Sequence, residues 1–545
     1  MKKILLLLVA GSLFVSCKDE KKANNSSEEK IVQDPRDTIQ EMDFKVVDSK
    51  FIDNDSLWKP FEKDLDSMTA EVYEEVRGYV YEKSIPEIQE AVSAGKLTYE
   101  ELALFYLTRI REYDRNNDFS LNSVISLNPN LLAEARQKDE DLKNAKDPHA
   151  IYGIPVLLKD NIDTEAMATT AGAAALQNNQ TQDAFIVQKL KENGALILGK
   201  ANLSEWAYFF CGDCPSGYSA VGGQTLNPYG RKKFDTGGSS SGSGVAVAAN
   251  LAPVAVGSET SGSILSPSSQ NSIVGLKPTI GLLSRGGIVP ISSTLDTPGP
   301  MTRTVIDNAI LLSAMSGIDP EDPASEMAAK PAFDYTEITQ ANLSGKRFGA
   351  IKRLMEDSLY VRAINDLKKA GAEIVEYEAE EINLPNFVRL LNLDMKKDLP
   401  SYFENYGGDV GFKNVQDVMK YNSEDTLKRA PYGQRLFQGI VDDSASEEDF
   451  AAIKDTLKTN GTRFLEKPMR EHNLDGILSI NNYHAGFAAV AKYPAITIPM
   501  GYTKVGAPKG LTIIGKPFSE QDLLKWAYVY EQETKRRKTP QDYDE

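Results

Sequence analysis

The sequence predicts an α/β fold in which a large, mixed and mostly parallel twisted sheet is covered by helices on both faces. Apolar runs of strand length at 154–158, 195–198 and 253–256 alternate with helical stretches at 183–192 and 244–250. Parallel strands need crossover connections, and the helices in those connections cover the two faces of a sheet. A hydrophobic content of 41% and a charged content of 26% fit a globular protein with a buried core.

The N-terminus has the features of a targeting signal rather than of a folded element. Lys2 and Lys3 precede an apolar run that is too short to span a bilayer as a helix, so residues 1–16 are predicted to be a signal peptide. The small and apolar residues before Cys17 resemble the lipobox of bacterial lipoproteins, which implies a lipid anchor on Cys17. An ordinary signal peptide with a bystander cysteine is the alternative. The expected location is the cell envelope, either periplasmic or on the cell surface.

A flexible tether is predicted at 17–50, between the lipid and the folded domain. Residues 18–45 contain six basic and eight acidic side chains and few large apolar ones. Such a stretch cannot bury enough surface to offset the entropy lost on ordering.

The folded part is predicted to begin with an accessory helical segment at 51–84, where apolar residues recur every three or four positions. The main domain then spans 85–545. One of its helices begins at Thr98, which has the spacing of a capping box with Glu101. Residues at about 320–470 are richer in charge and in helical pattern, and are expected to form a helical cap or flank.

The charge and the histidine content disfavour several classes of function. Lys and Arg total 61 against 78 Asp and Glu, so the net charge is −17, whereas nucleic-acid binding favours a basic face. The three histidines, His149, His472 and His484, do not have the spacing of metal ligands. We therefore expect no nucleic-acid partner and no multi-histidine metal site, and any hydrolytic mechanism must work without a histidine base.

The most informative segment is rich in glycine and serine and covers residues 234–284. Its Gly/Ser clusters alternate with apolar runs, so it is not a linker. Small residues allow backbone to approach backbone or substrate closely. Backbone N–H groups of a Gly-Ser turn can also converge on a developing anion.

This segment resembles the signature of the amidase signature family of serine hydrolases. The matching motifs are Gly-Gly-Ser-Ser at 237–240, Thr-Ser-Gly-Ser at 260–263 and Gly-Leu-Lys-Pro-Thr at 275–279. Further similarity lies in Gly-Ile-Pro-Val-Leu-Leu-Lys-Asp-Asn at 153–161, Asp-Thr-Pro-Gly-Pro-Met at 296–301 and Tyr-Pro-Ala-Ile-Thr-Ile-Pro at 493–499. The resemblance covers roughly residues 85–540 and implies the amidase signature fold.

The resemblance also implies a set of catalytic residues. Ser263 would be the nucleophile, Ser239 a bridging serine after a cis peptide bond from Gly238, and Lys159 the base. The N–H groups of Thr260, Ser261, Gly262 and Ser263 would form the oxyanion hole, and Ser240 would support the site by hydrogen bonding. A lysine can act as a base only when it is neutral, and burial favours the neutral form.

The activity that the resemblance implies is hydrolysis of a carboxamide, with a small-molecule or peptide amide as substrate and without a metal or organic cofactor. The form of the turn resembles the branch that contains bacterial peptide amidases, but Ser261 replaces an Asp that is typical there, so the substrate stays open. A hydrolase of esters or secondary amides and a catalytically inactive binding lipoprotein are the alternatives. The tRNA-dependent ammonia-releasing subunit of the family is disfavoured by the acidic charge and the signal. The oligomeric state also stays open.

Four other features allow two interpretations each. Ser240 lies at the centre of a formal nucleophile-elbow motif of α/β-hydrolases, but the charged residues at 231–235 do not form the apolar strand that such an elbow needs. Cys211 and Cys214 could form a local disulfide or stay as thiols. His484 could line the pocket, but a structural histidine is favoured. The acidic run at 319–323 is interpreted as a solvated loop rather than a calcium site.

Overall fold

An eleven-stranded sheet runs through the described part of the protein, which is residues 41–115, 117–328 and 335–544 of a computed structural model. The strands in chain order are β1 (Val124–Leu127), β2 (Pro155–Lys159), β3 (Leu196–Ala201), the two-residue strands β4 (Tyr218–Ser219) and β5 (Gly223–Gln224), β6 (Val254–Glu259), β7 (Val274–Lys277), β8 (Thr297–Thr302), β9 (Arg347–Ile351), β10 (Glu373–Tyr377), β11 (Gly476–Ile480), β12 (Ala495–Tyr502) and β13 (Pro508–Ile514). Strands β4 and β5 pair separately, and the large sheet has the order β1-β3-β2-β6-β8-β7-β12-β13-β11-β9-β10.

The predicted α/β class and the mixed sheet are confirmed, with helices on both faces. The four parallel pairs lie in two groups, β3-β2-β6 and β11-β9-β10. The other six neighbouring pairs are antiparallel, so parallel pairs are fewer than the alternation of helices and strands predicts. One reason is that β12 and β13 are joined only by residues 503–507, too few for the crossover that a parallel pair requires.

Eighteen α-helices accompany the sheet in the described residues. They are α1 (Asn54–Trp58), α2 (Glu62–Leu65), α3 (Ala70–Val80), α4 (Ile85–Ser93), α5 (Tyr99–Tyr113), α6 (Leu131–Leu142), α7 (Phe185–Glu192), α8 (Ser241–Ala248), α9 (Leu265–Gln270), α10 (Val305–Met315), α11 (Ser358–Lys369), α12 (Phe387–Asn405), α13 (Val415–Ser423), α14 (Thr426–Arg429), α15 (Arg435–Asp442), α16 (Glu447–Glu471), α17 (Ala485–Val490) and α18 (Glu520–Thr534). Thr98 caps α5 in a capping box with Glu101, as predicted. None of the helices in the described part is both long enough and apolar enough to cross a bilayer.

The accessory segment at 51–84 consists of three helices, α1 to α3. Helix α1 ends at Trp58, just before Pro60, and α3 begins after Thr69, whose side chain accepts a hydrogen bond from Val72 N–H. The predicted apolar positions, among them Phe61 and Val76, are buried in the core of the main domain. The segment is therefore part of the same core.

The predicted helical cap at 320–470 has different limits. Strands β9 and β10 and helix α11 extend one edge of the large sheet, so residues 347–377 belong to the sheet. The helices α12 to α16, which we call the helical cap, span residues 387–471. Their apolar side chains form a second cluster with residues 206–218.

The predicted tether at 17–50 is too long at its C-terminal end. The signal peptide, Cys17 and residues 18–40 lie outside the described residues, but residues 41–50 are bound to the domain. Phe44 and Val47 pack against the core, and Gln224 N–H donates to Val47 O over 2.8 Å. The segment was predicted to be a tether because its overall composition is polar, and a few apolar residues near its C-terminal end do not change that composition much.

Candidate active site

Lys159 is the last residue of β2, a strand that is buried along its whole length. The parallel register with β6 sets Leu158 opposite Val256, which brings the end of β2 beside Ser258. The Lys159 Nζ donates hydrogen bonds to Ser239 Oγ at 2.8 Å, to Ser258 Oγ at 2.9 Å and to Ser258 O at 3.0 Å. Burial lowers the pKa of Lys159 to about 7, although the carboxylates of Asp296 and Glu259 oppose this shift.

The two serines that follow Gly238 lie just before and at the start of α8. The Gly238–Ser239 peptide bond is cis, in agreement with the family resemblance. Ser240 lies between the other parts of the site. Its Oγ donates to Ser258 O over 3.1 Å, and its N–H donates to Ser263 O over 3.1 Å. The backbone of Ser263 is therefore bonded to Ser240, the residue that follows Ser239 in the chain.

Ser263 lies at the end of a turn that follows β6. The side chain of Glu259 holds this turn, because its two carboxylate oxygens accept hydrogen bonds from the N–H groups of Gly262 at 2.7 Å, Ile264 at 2.7 Å and Leu265 at 3.0 Å. Ser263 is 9% exposed, whereas Lys159 has no exposed surface. Glu259 is a site residue to which the sequence analysis assigned no role.

The oxyanion hole predicted from the sequence is therefore smaller than expected. The N–H group of Gly262 is occupied by Glu259 and cannot also donate to a substrate oxygen. The N–H groups of Thr260, Ser261 and Ser263 make no hydrogen bond to other described residues. These three donors are the ones that can converge on a developing oxyanion.

Two further residues support this arrangement, and sequence reasoning assigned no role to them. Asn161 Nδ2 donates to Ser258 Oγ over 3.0 Å, which orients the hydroxyl that contacts Lys159. Asp296 accepts a hydrogen bond from Thr260 Oγ1 at 2.5 Å, and its other oxygen accepts from Ile291 and Ser292 N–H, each at 2.8 Å. Both residues stand in the family motifs, which was the signal that could have identified them.

A cavity of about 260 Å³ lies beside these residues. Asn161, Ser258 and Thr260 line it on the side of the candidate site, and residues of 285–298, 321–323 and α12 line most of the remainder.

Asp319 and Asp322 are buried in this region, and Asp322 forms an ion pair with Arg285. In the run at 319–323, the carboxylates of Asp319 and Asp322 are therefore bound by Ser284 and Arg285 rather than solvated, whereas Glu321 is exposed as predicted for a solvated loop.

The remaining candidates fall outside the reacting cluster. Cys211 and Cys214 form a disulfide with a Cα–Cα distance of 5.9 Å. His484 is buried and contacts Ser479 Oγ at 2.6 Å and the Arg353 guanidinium at 2.9 Å, which fits a structural role. In the described ranges, no group of His, Cys, Asp and Glu side chains has the geometry of a metal site.

Comparison with known proteins assigns the family. Residues 101–479 match the family model described as Amidase. A probable amidase of Arabidopsis thaliana is 37% identical over 481 residues, which cover 85% of this chain and 92% of the plant protein.

Two crystal structures have the same architecture. An amidase family protein from Bacillus anthracis is 38% identical with a TM-score of 0.86, over 92% of this chain and 99% of that one. The native peptide amidase from Stenotrophomonas maltophilia is also 38% identical, with a TM-score of 0.79 over 84% of this chain and 98% of that one. The chain therefore belongs to the amidase family and is a hydrolase of carbon–nitrogen bonds.

Proposed function

We propose that this protein is an exported, lipid-anchored amidase that hydrolyses a linear carboxamide to a carboxylate and ammonia through an acyl-enzyme on Ser263. The observation that carries the proposal is the contact between the fully buried Lys159 and Ser239, whose Nζ and Oγ atoms are 2.8 Å apart. A buried lysine whose pKa is lowered to about 7 supplies a neutral amine at physiological pH.

The first half of the reaction forms the acyl-enzyme. The neutral Lys159 amine takes a proton from Ser239 Oγ, while Ser239 takes the proton of Ser263 Oγ, which attacks the substrate carbonyl carbon. The carbonyl π electrons move to oxygen. When the tetrahedral intermediate collapses, the C–N bond breaks and the Lys159 proton passes through Ser239 to the leaving nitrogen, which departs as ammonia.

The second half of the reaction restores the enzyme. Water gives a proton through Ser239 to Lys159 and attacks the ester carbon on Ser263. The ester C–O bond then breaks, Ser263 recovers its proton along the same path, and the carboxylic acid leaves. The scheme uses only protein groups and water.

The oxyanion of both tetrahedral intermediates is assigned to the N–H groups of Thr260, Ser261 and Ser263. Glu259 supports them from behind, because it fixes the turn through Gly262 and Leu265. Such preorganised donors need no rearrangement when the charge develops. Ser240 is assigned a positioning role, since it bonds both to Ser258 and to the carbonyl of Ser263.

C-terminal amides of peptides are the proposed substrate class. The support is the 38% identity to the peptide amidase from Stenotrophomonas maltophilia. Hydrolysis of an ester or a secondary amide and an inactive binding protein on the same scaffold are the alternatives.

The export and the lipid anchor rest on residues 1–16 and Cys17. Their test is incorporation of labelled fatty acid, which Cys17→Ser should abolish.

The function is tested by ammonia release from residues 18–545, with Ser263→Ala as the control. The substrates are C-terminal peptide amides, aryl and alkyl amides, and free Gln and Asn. Release that is lost in Ser263→Ala supports the amidase. Without release, fluorophosphonate labelling separates the alternatives, because a labelled Ser263 indicates an active hydrolase with another substrate and an unlabelled one indicates the inactive scaffold.

A further inference from the structure

The cavity beside Thr260 has an excess of acidic side chains. Its charged lining residues are four carboxylates, Asp296, Glu321, Asp322 and Asp398, and one guanidinium, Arg285. The cavity also touches the candidate site directly, because Thr260 and Ser258 form part of its wall.

The one cation among these lining residues is already paired. The Arg285 guanidinium bonds to both carboxylate oxygens of Asp322, at 2.9 Å from Nε and 2.5 Å from its terminal nitrogen. Asp296 and Asp398 form no ion pair with a lysine or arginine of the described residues. The carboxylates that line the cavity therefore outnumber the positively charged side chains that could pair with them.

The charged form of Asp398 is disfavoured in this cavity, whereas the nearby Arg285 charge favours the charged form of Asp296. Burial raises the pKa of Asp398 to about 6, and the nearby Asp394 and Asp296 add to the shift. Burial also raises the pKa of Asp296. A positive charge inside the cavity would compensate both carboxylates, since it would act at short range in a poorly solvated site.

A second polar group in the wall lacks a partner. Asn161 is 2% exposed and lines the cavity. Its Nδ2 donates to Ser258 Oγ and Val289 O, but its Oδ1 has no hydrogen-bond partner among the described residues. An unpaired acceptor at a buried position costs free energy, but this oxygen has less than 1 Å² of accessible surface, so it does not belong to the acceptors that face the cavity.

We propose that this cavity is a specificity subsite that binds a primary ammonium or guanidinium group of the substrate, so that the preferred substrates are amides of basic residues. This inference rests on the proposed amidase function. Asp398 on α12 is the principal determinant, and Asp296 is the second carboxylate of the subsite. Asp398 itself accepts a hydrogen bond from Ser293 N–H over 2.6 Å, which fixes its carboxylate at the wall.

The test compares two amides that differ by one charge, Nα-acetyl-lysinamide and Nα-acetyl-norleucinamide. The variant is Asp398→Asn, which retains an oxygen that can accept from Ser293. The matched control is Glu404→Gln on the same helix, because Glu404 is exposed and does not line the cavity. We expect kcat/KM of the wild type to favour the lysine amide by about 10-fold or more, in the range of a desolvated charge contact.

Asp398→Asn should reduce the ratio of kcat/KM for the lysine amide to that for the norleucine amide to less than about 3-fold, whereas Glu404→Gln should keep the wild-type ratio. Equal kcat/KM for the two amides in the wild type, or a preference that survives Asp398→Asn, overturns the subsite. If neither amide is turned over and Ser263 is not labelled by fluorophosphonate, the amidase function is contradicted instead. Calorimetric titration then still decides the subsite, since equal binding of the two amides overturns it.

Discussion

The Nζ atom of Lys159 lies 2.8 Å from Ser239 Oγ, and both side chains are fully buried. The lysine ends β2, while the serine precedes α8, 80 residues later in the chain. Ser258 at the end of β6 completes the contact, because its Oγ and carbonyl oxygen both accept from Nζ. This arrangement fixes the Lys159 amine between three acceptor atoms, and its burial lowers the pKa.

The pH dependence of turnover should follow the charge of Lys159. Because burial lowers the pKa of Lys159 to about 7, the neutral and reactive form gains population as the pH rises. We expect kcat to fall about 10-fold per unit below pH 6 and to level off above pH 8. A pH series of initial rates checks this, and a profile that is flat between about pH 5 and pH 9 would count against a lysine base.

Loss of the Ser258 hydroxyl should slow turnover. Ser258→Ala removes one of the three hydrogen bonds of Lys159 Nζ and the partner of Asn161 Nδ2, so the amine loses its fixed orientation. We expect kcat to fall about 10-fold with KM nearly unchanged, as for the loss of one buried hydrogen bond. Steady-state kinetics with Ser243→Ala as the control test this, because Ser243 is equally buried but donates to Val256 O outside the site. Equal losses in the two variants would assign the effect to packing.

Removal of the charge of Glu259 should affect both the oxyanion hole and the pH profile. In Glu259→Gln one oxygen becomes an NH₂ group, which cannot accept from the turn that Gly262 and Leu265 belong to. We expect kcat to fall by about 10² or more, as for the loss of an oxyanion donor. Since the Glu259 carboxylate raises the pKa of Lys159, the acid limb of the profile should move to lower pH.

The residual activity of Glu259→Gln, measured across the pH range, gives the position of the acid limb of the pH profile. An acid limb that moves to higher pH would contradict the electrostatic effect of Glu259 on Lys159. Glu520→Gln is the matched control. Glu520 is a buried carboxylate that accepts from Thr279 N–H and lies near Lys277 rather than Lys159. It should leave the acid limb in place.

The N-terminal segment should contribute to stability only from residue 41 onward. Deletion of 18–40 should leave the melting temperature unchanged, whereas deletion of 18–50 removes the packing of Phe44 and Val47 and the bond from Gln224. We expect the longer deletion to lower Tm by several degrees, as for a loss of about 1–3 kcal/mol. Calorimetry of both truncated proteins tests this prediction. Equal melting temperatures would show that residues 41–50 do not pack stably against the domain in solution.

The sequence predicts the parts of the fold that depend on local pattern. The buried strand that ends at Lys159 and the start of the capped helix after Thr98 lie within one residue of their predicted positions, whereas β6 continues three residues beyond its predicted end at 256. Strand β10 was not predicted because it forms the edge of the sheet, where Glu373 and Glu376 are exposed and resemble a charged helical surface. The binding of residues 41–50 depends on Gln224, which is distant in the chain, and the local sequence of residues 41–50 does not reveal this contact.

The sequence also predicts the positions of the candidate catalytic side chains, but not how their surroundings are connected. Lys159 and Ser239 meet as the resemblance implies. The occupation of the Gly262 N–H by Glu259 could not be predicted, because it depends on the conformation of the turn at 260–263. The acidic excess of the cavity could not be predicted either, since Asp296 and Asp398 are about a hundred residues apart in the chain.

The central claim is that Ser263, activated through Ser239 by Lys159, is acylated during turnover. Rapid quenching during hydrolysis of a good amide or ester, followed by mass spectrometry of the proteolysed protein, tests it most directly. The account predicts an acyl adduct on Ser263 that accumulates in the wild type and is absent in Lys159→Ala. An adduct on Ser240, or one that forms equally fast without Lys159, would contradict it.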